Sequence, residues 1–76
     1  MSTHIFFGYT KNCRRVAKIL EIPSPIIVHS IDDILRVRGD VSEHLCLPWE
    51  GSCLLHDTRV RLRENCNITT TTYHVL

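Results

Sequence analysis

The sequence has almost no excess charge: nine Lys and Arg against eight Asp and Glu leave a formal net charge of +1. A chain whose main task is non-specific binding to nucleic acid or anionic lipid is thereby excluded, because that binding scales with the phosphates neutralised. A local basic patch stays open. Long apolar runs are also lacking. Nothing approaches the about 18 residues that cross a bilayer, and Met1-Ser2-Thr3-His4 has neither the basic region nor the apolar core of a secretory signal. The expectation is a soluble, cytoplasmic protein with no membrane partner. The four cysteines, Cys13, Cys46, Cys53 and Cys66, fall short of the density of a disulfide scaffold, so free thiols in or near a core are expected. If they paired, sequence alone would leave every connectivity open. Length is short too. With 76 residues there is room for one core, so residues 1–76 are read as a single compact domain. Stability at that size often rests on a staple, a metal, an oligomer interface or a bound partner.

What is present is the composition of an ordinary globular domain, 43% hydrophobic and 22% charged. Residues 4–9 form a short apolar and aromatic run suited to a buried strand. Thr10 or Asn12 can cap the helix that follows, and Cys13, Val16, Ala17 and Leu20 recur at helical spacing with Arg14, Arg15, Lys18 and Glu21 elsewhere on the wheel. Pro23 and Pro25 stop that helix. Residues 25–29 are β-branched and read as a second strand. Strand, amphipathic helix and strand make a βαβ unit, which implies parallel strands. Ser30-Ile31-Asp32-Asp33 has the form of a capping box for a short second helix, with Arg36 and Arg38 near its far end and Gly39 as a left-handed terminator.

After Gly39 alternation takes over. Residues 41–47 read as a strand, with a short helix from Ser42 as the competing assignment, and Pro48-Trp49-Glu50-Gly51 as a turn. Residues 52–63 place Leu54, His56, Thr58, Val60 and Leu62 on one side and Arg59, Arg61 and Arg63 on the other, the pattern of a half-exposed strand. Residues 68–75, with four consecutive threonines, read as a last strand joined to it in a hairpin. The expected fold is a small α/β domain: a βαβ unit plus a short second helix, completed by a β-hairpin to give a mixed sheet.

Several groups of residues invite a functional reading. His44, Cys46, Cys53 and His56 are the ligand types of a tetrahedral structural zinc, although the spacing between the cysteines is longer than in a zinc knuckle and a hairpin would turn His56 away. Cys13 sits near a helix start with Lys11, Arg14 and Arg15 around it, an environment that lowers a thiol pKa. The stretch Tyr9-Thr10-Lys11-Asn12-Cys13, between strand and helix, resembles the approach to the active site in the glutaredoxin family over about a dozen residues. Val16 stands where that family's motif has its second cysteine, so the resemblance implies a single nucleophile, Cys13. Gly8-Tyr9-Thr10-Lys11 lies at a strand-to-helix junction but lacks the spacing of a phosphate-binding loop.

Arg59, Arg61 and Arg63, joined by Arg14, Arg15 and Lys18, would make a basic surface for nucleic acid or an acidic protein. The plainer account of the arginines is a solvated strand face. Trp49 beside Pro48 is a candidate interface anchor. Asn67-Ile68-Thr69 matches a glycosylation acceptor, which without a signal peptide is read as coincidence. No titratable pair stands in an activating arrangement, and the domain is too small for a deep pocket. The favoured expectation is therefore a non-catalytic, cofactor-free inhibitory or regulatory protein that docks on a larger protein, using Trp49, Arg59, Arg61 and Arg63. In general style it resembles small accessory proteins carried by phages and mobile elements. The alternatives are a nucleic-acid-binding regulator using the arginine stripe, and a thiol-redox or zinc-stabilised small domain.

Overall fold

The computed structural model describes residues 3–48 and 53–76, the side chains of Cys53 and Leu54 excepted. Its elements in chain order are β1 (Thr3–Phe7), α1 (Thr10–Ile19), β2 (Ile26–Ile27), a 3-10 turn (Ile31–Ile34), β3 (Gly39–Leu47), α2 (Cys53–Asn65) and β4 (Cys66–Val75). The strands form one sheet in the order β2-β1-β3-β4, and every neighbouring pair is parallel. The α/β class and the initial βαβ unit are as expected.

The completing hairpin is not. Residues 53–65 are a helix, and β4 pairs with β3 rather than with the segment before it. A parallel pair cannot be joined by a tight turn; it needs a crossover of a dozen or more residues, usually helical. The period-two pattern of residues 52–63 is shared at Thr58 and Leu62 by a helical one, and the buried positions of α2 are Thr58 and Leu62, with Leu55 and Arg59 partly buried beside them.

Successive side chains of a strand point to opposite faces, and each face has its own cover. Ile5, Phe7, Val41 and Leu45 pack with Ile34 of the 3-10 turn, with Val37 shortly after it and with Leu62 of α2. Phe6 and Cys46 pack with Cys13, Val16 and Ala17 of α1. The sheet is thus sandwiched, α1 on one face and α2 with the 3-10 segment on the other.

Local chemistry explains the element ends, not always by the expected residue. Tyr9, rather than Thr10 or Asn12, occupies the α1 N-cap, with no side-chain cap bond. The Thr10 hydroxyl instead lies 3.4 Å from Nδ1 of His29. At the far end the helix closes before either proline. Glu21 takes φ 56°, its N–H donates to the Lys18 carbonyl, and that of Ile22 donates to the Ala17 carbonyl, the paired bonds of a Schellman motif. In the 3-10 segment the acidic half of the capping box forms. The Asp33 carboxylate accepts from the His29 and Ser30 N–H groups at 2.7 and 3.0 Å, and these bonds hold its pKa below the usual value. Arg38 donates to the Leu35 and Val37 carbonyls, and Gly39 has the positive φ expected of it, 87°.

Thr58 is buried with a hydroxyl that has no hydrogen-bond partner among the described residues. An unsatisfied buried hydroxyl costs about 1–3 kcal/mol, whereas an isosteric methyl costs nothing of the kind. Thr58→Val is therefore expected to raise the unfolding free energy by about 1 kcal/mol. Urea denaturation should show a higher midpoint with an unchanged slope.

Candidate functional site

Three features place chemistry on this scaffold: the crevice where strand order reverses, a row of histidines across the sheet, and a groove beside β4.

The crossover from β1 runs over the α1 face to β2, while the connections from β2 to β3 and from β3 to β4 run over the other face. Chain direction across the sheet therefore switches between β1 and β3, and in open α/β sheets the crevice outside the carboxyl ends of such strands is the usual ligand position. On the β1 side it begins at Gly8. That residue has φ 144°, and a Cβ there would lie 2.8 Å from the Cys46 carbonyl oxygen, so only glycine fits. Beneath it, Cys13 and Cys46 are fully buried free thiols. Burial, with Cys46 alongside, pushes the Cys13 thiol up to about 12. The cations flanking Cys13 in sequence thus do not produce an activated thiolate. On the β3 side, Trp49 lies outside the described residues.

The histidines are the feature that sequence reading missed. His4 on β1, His44 on β3 and His74 on β4 step diagonally across three strands on the α1 face. Nδ1 of His4 is 3.0 Å from Nε2 of His44, and Nδ1 of His44 is 2.8 Å from Nε2 of His74. The His44 ring stacks on Phe6, centroids 4.3 Å apart and planes within 8°. His44 engages both ring nitrogens, so it donates through one and accepts through the other, and its tautomer dictates those of its neighbours. Two proton arrangements are open to the row, related by shifting every N–H one way. Burial, reinforced by His74 and His4, lowers the His44 pKa to about 4. Burial also lowers that of His74.

This row is not a metal centre, because its lone pairs are aimed at one another rather than at a common point. No group of three or more His, Cys, Asp or Glu among the described residues is arranged to hold an ion. Nor does the fold assemble the zinc set proposed from sequence. His44 and Cys46 share the α1 face, whereas His56 is exposed on α2 across the sheet, and the Cys53 side chain lies outside the described residues.

The arginine stripe is broken up by the helix that carries it. Arg59 points inward and clamps the fully buried Glu43 carboxylate through two hydrogen bonds of 2.9 Å. The Thr71 hydroxyl donates to the same carboxylate at 3.0 Å, and Arg63 stands 3.9 Å away. The Glu43 bonds raise the Arg59 pKa. Arg61 is exposed. Arg14, Arg15 and Lys18 belong to α1 on the opposite side of the sheet, so the six cations do not form one surface.

The third feature is a groove of about 300 Å³ between α1 and the end of β4, lined by Val16, Ile19, Leu20, Tyr73, His74 and Val75 among others. Ile19 is 70% exposed and Val75 84% exposed. The adjoining face of α1 carries Lys11, Arg14, Arg15 and Lys18, all exposed, and no acid within Thr10–Ile19.

No family model, curated protein or solved structure matches this chain. Among the described residues no helix is long and apolar enough to cross a membrane.

Proposed function

We propose that this protein is a small non-catalytic binding protein, inhibitory or regulatory in effect. It docks on a larger protein by taking an apolar segment flanked by acidic residues into the groove between α1 and β4. The observation that carries the reading is the joining of exposed Ile19, Leu20, Val75 and Leu76 around one concavity to a helix face that is wholly cationic. Large exposed apolar clusters with charged rims mark interaction sites, and the rim charge selects partners by sign. The strongly interacting polar groups of the interior are already committed to one another, Glu43 to Arg59 and His44 to its neighbours. Arg61 and Arg63 lie on α2, across the sheet from this groove, and Trp49 lies outside the described residues, so the reading does not rest on them.

The test is selection from a displayed library of random peptides. Enriched sequences should set Leu, Ile or Phe beside Asp or Glu and bind with dissociation constants near the micromolar range. A double change of Ile19→Asp and Val75→Asp, both at exposed positions, should weaken binding by more than about 10-fold. Enrichment of basic sequences, or equal binding by the double variant, would overturn the reading.

The nucleic-acid alternative rests on α1 alone, since Arg59 is occupied. It requires affinity for short DNA or RNA that falls steeply with salt, and no binding at low salt removes it.

A further inference from the structure

The two edges of the sheet differ. At one edge β2 has only two residues, directly after Pro25, and brevity and proline both keep an edge from pairing further. At the other edge β4 runs for ten residues, Cys-Asn-Ile-Thr-Thr-Thr-Thr-Tyr-His-Val. It contains no proline, no glycine and no Lys, Arg, Asp or Glu, and most of its residues are β-branched or aromatic. It pairs with β3 and, among the described residues, with nothing on its outer side. Its one irregularity is a register shift opposite Val41/Ser42. Of the devices that blunt an edge it has only this bulge at Thr69, near its start, and no lysine, proline or charged side chain.

We infer that β4 pairs with the β4 strand of a second copy, antiparallel about a two-fold axis passing through residues 70–72, to give one continuous eight-stranded sheet.

Three observations select a second copy over a foreign strand. An antiparallel two-fold pairing sets the strand against itself, so any charge near the axis would face its own twin; β4 carries none, and Thr against Thr is a favourable cross-strand pair. All four threonines are exposed; the hydroxyls of Thr69 and Thr71 are engaged by the Val41 carbonyl and the Glu43 carboxylate, and Thr70 and Thr72 flank the axis on the other face. Once paired, the assembly presents only two β2 edges, both short and bounded by Pro25, so it closes at two copies instead of growing. The inference uses the backbone edge of β4, not the groove, and stands or falls apart from the partner proposed above.

The experiment is sedimentation analysis of the purified chain from about 10 μM to about 1 mM, with hydrogen exchange measured on the same samples. The mass should rise to that of two chains, and exchange protection of residues 66–75 should rise with concentration in step with it. The double change Thr70→Lys and Thr72→Lys, placing like charges across the axis, should raise the dissociation constant by at least about 100-fold while circular dichroism stays native. The wild-type exchange data decide the matter by themselves if that variant fails to fold. A one-chain mass throughout, a dimer with unchanged β4 exchange, a dimer indifferent to the lysines, or an open-ended series of masses would each overturn the inference.

Discussion

Arg59→Ala is expected to destabilise the protein by about 3–5 kcal/mol, because it strands a buried carboxylate. Glu43 is fully buried, and Arg59 supplies both of its short guanidinium bonds. The remaining partners cannot replace it. Thr71 donates one neutral hydrogen bond, and Arg63 stands off at 3.9 Å on a largely exposed side chain. For a domain of this size such a loss is a large share of the total stability. Burying a charged pair is itself costly, so removing both partners is predicted to be far milder than removing one. The double change Glu43→Leu with Arg59→Leu should stay within about 1–2 kcal/mol of the native protein. Urea titrations of Glu43→Leu, Arg59→Leu and the double variant close the cycle. Equal destabilisation in the double and in Arg59→Ala would show that shape, not charge, governs the site.

Acidification should destabilise the fold through His44. In the unfolded chain its imidazole titrates near the ordinary histidine value of 6.5; in the folded chain burial, then His74 and His4, lower it to about 4. Between those values the unfolded chain holds a proton that the folded chain refuses, so stability falls as pH falls. The slope is at most about 1.4 kcal/mol per pH unit, and the loss over the whole window is about 3 kcal/mol. Above pH 6.5 both states are neutral, and the group adds no pH dependence. His74, shifted in the same direction by burial, adds to the loss. Unfolding free energies measured from pH 7.5 to 4 should therefore decline, and His44→Phe, which keeps a ring against Phe6, should flatten the decline. A variant with the same pH profile as the native protein would remove His44 from this role.

The first half of the chain was legible because its signals are local. The apolar positions of α1, the prolines after it, Asp33 in its capping box and the positive φ of Gly39 each act within a few residues. The second half misleads because its decisive partner is remote. The inward face of α2 is Leu55, Thr58, Arg59 and Leu62, and two of those four are polar. Their burial makes sense only beside Glu43 on another element. One signal was within reach: residues 48–65 are long enough for a parallel crossover, and a hairpin would not have needed them all. The histidine row was out of reach. His4, His44 and His74 are 40 and 30 residues apart, and nothing joins them until the registers of three strands are known. Their shared strand face with Phe6 and Cys46 was the only hint.

The all-parallel sheet also sets the order in which the chain can acquire structure. No two strands are joined by a hairpin, so no strand pair can form as a local event, and each must wait for its crossover to be laid down. β3 and β4 pair Gly39 with Cys66 and Leu47 with Val75, so the last strand made is also the one that completes the longest ladder. During synthesis Glu43 lies in place before its counter-ion exists. A chain halted before Arg59 would hold a carboxylate with no cation to justify its burial, and it would stay uncommitted until α2 arrives.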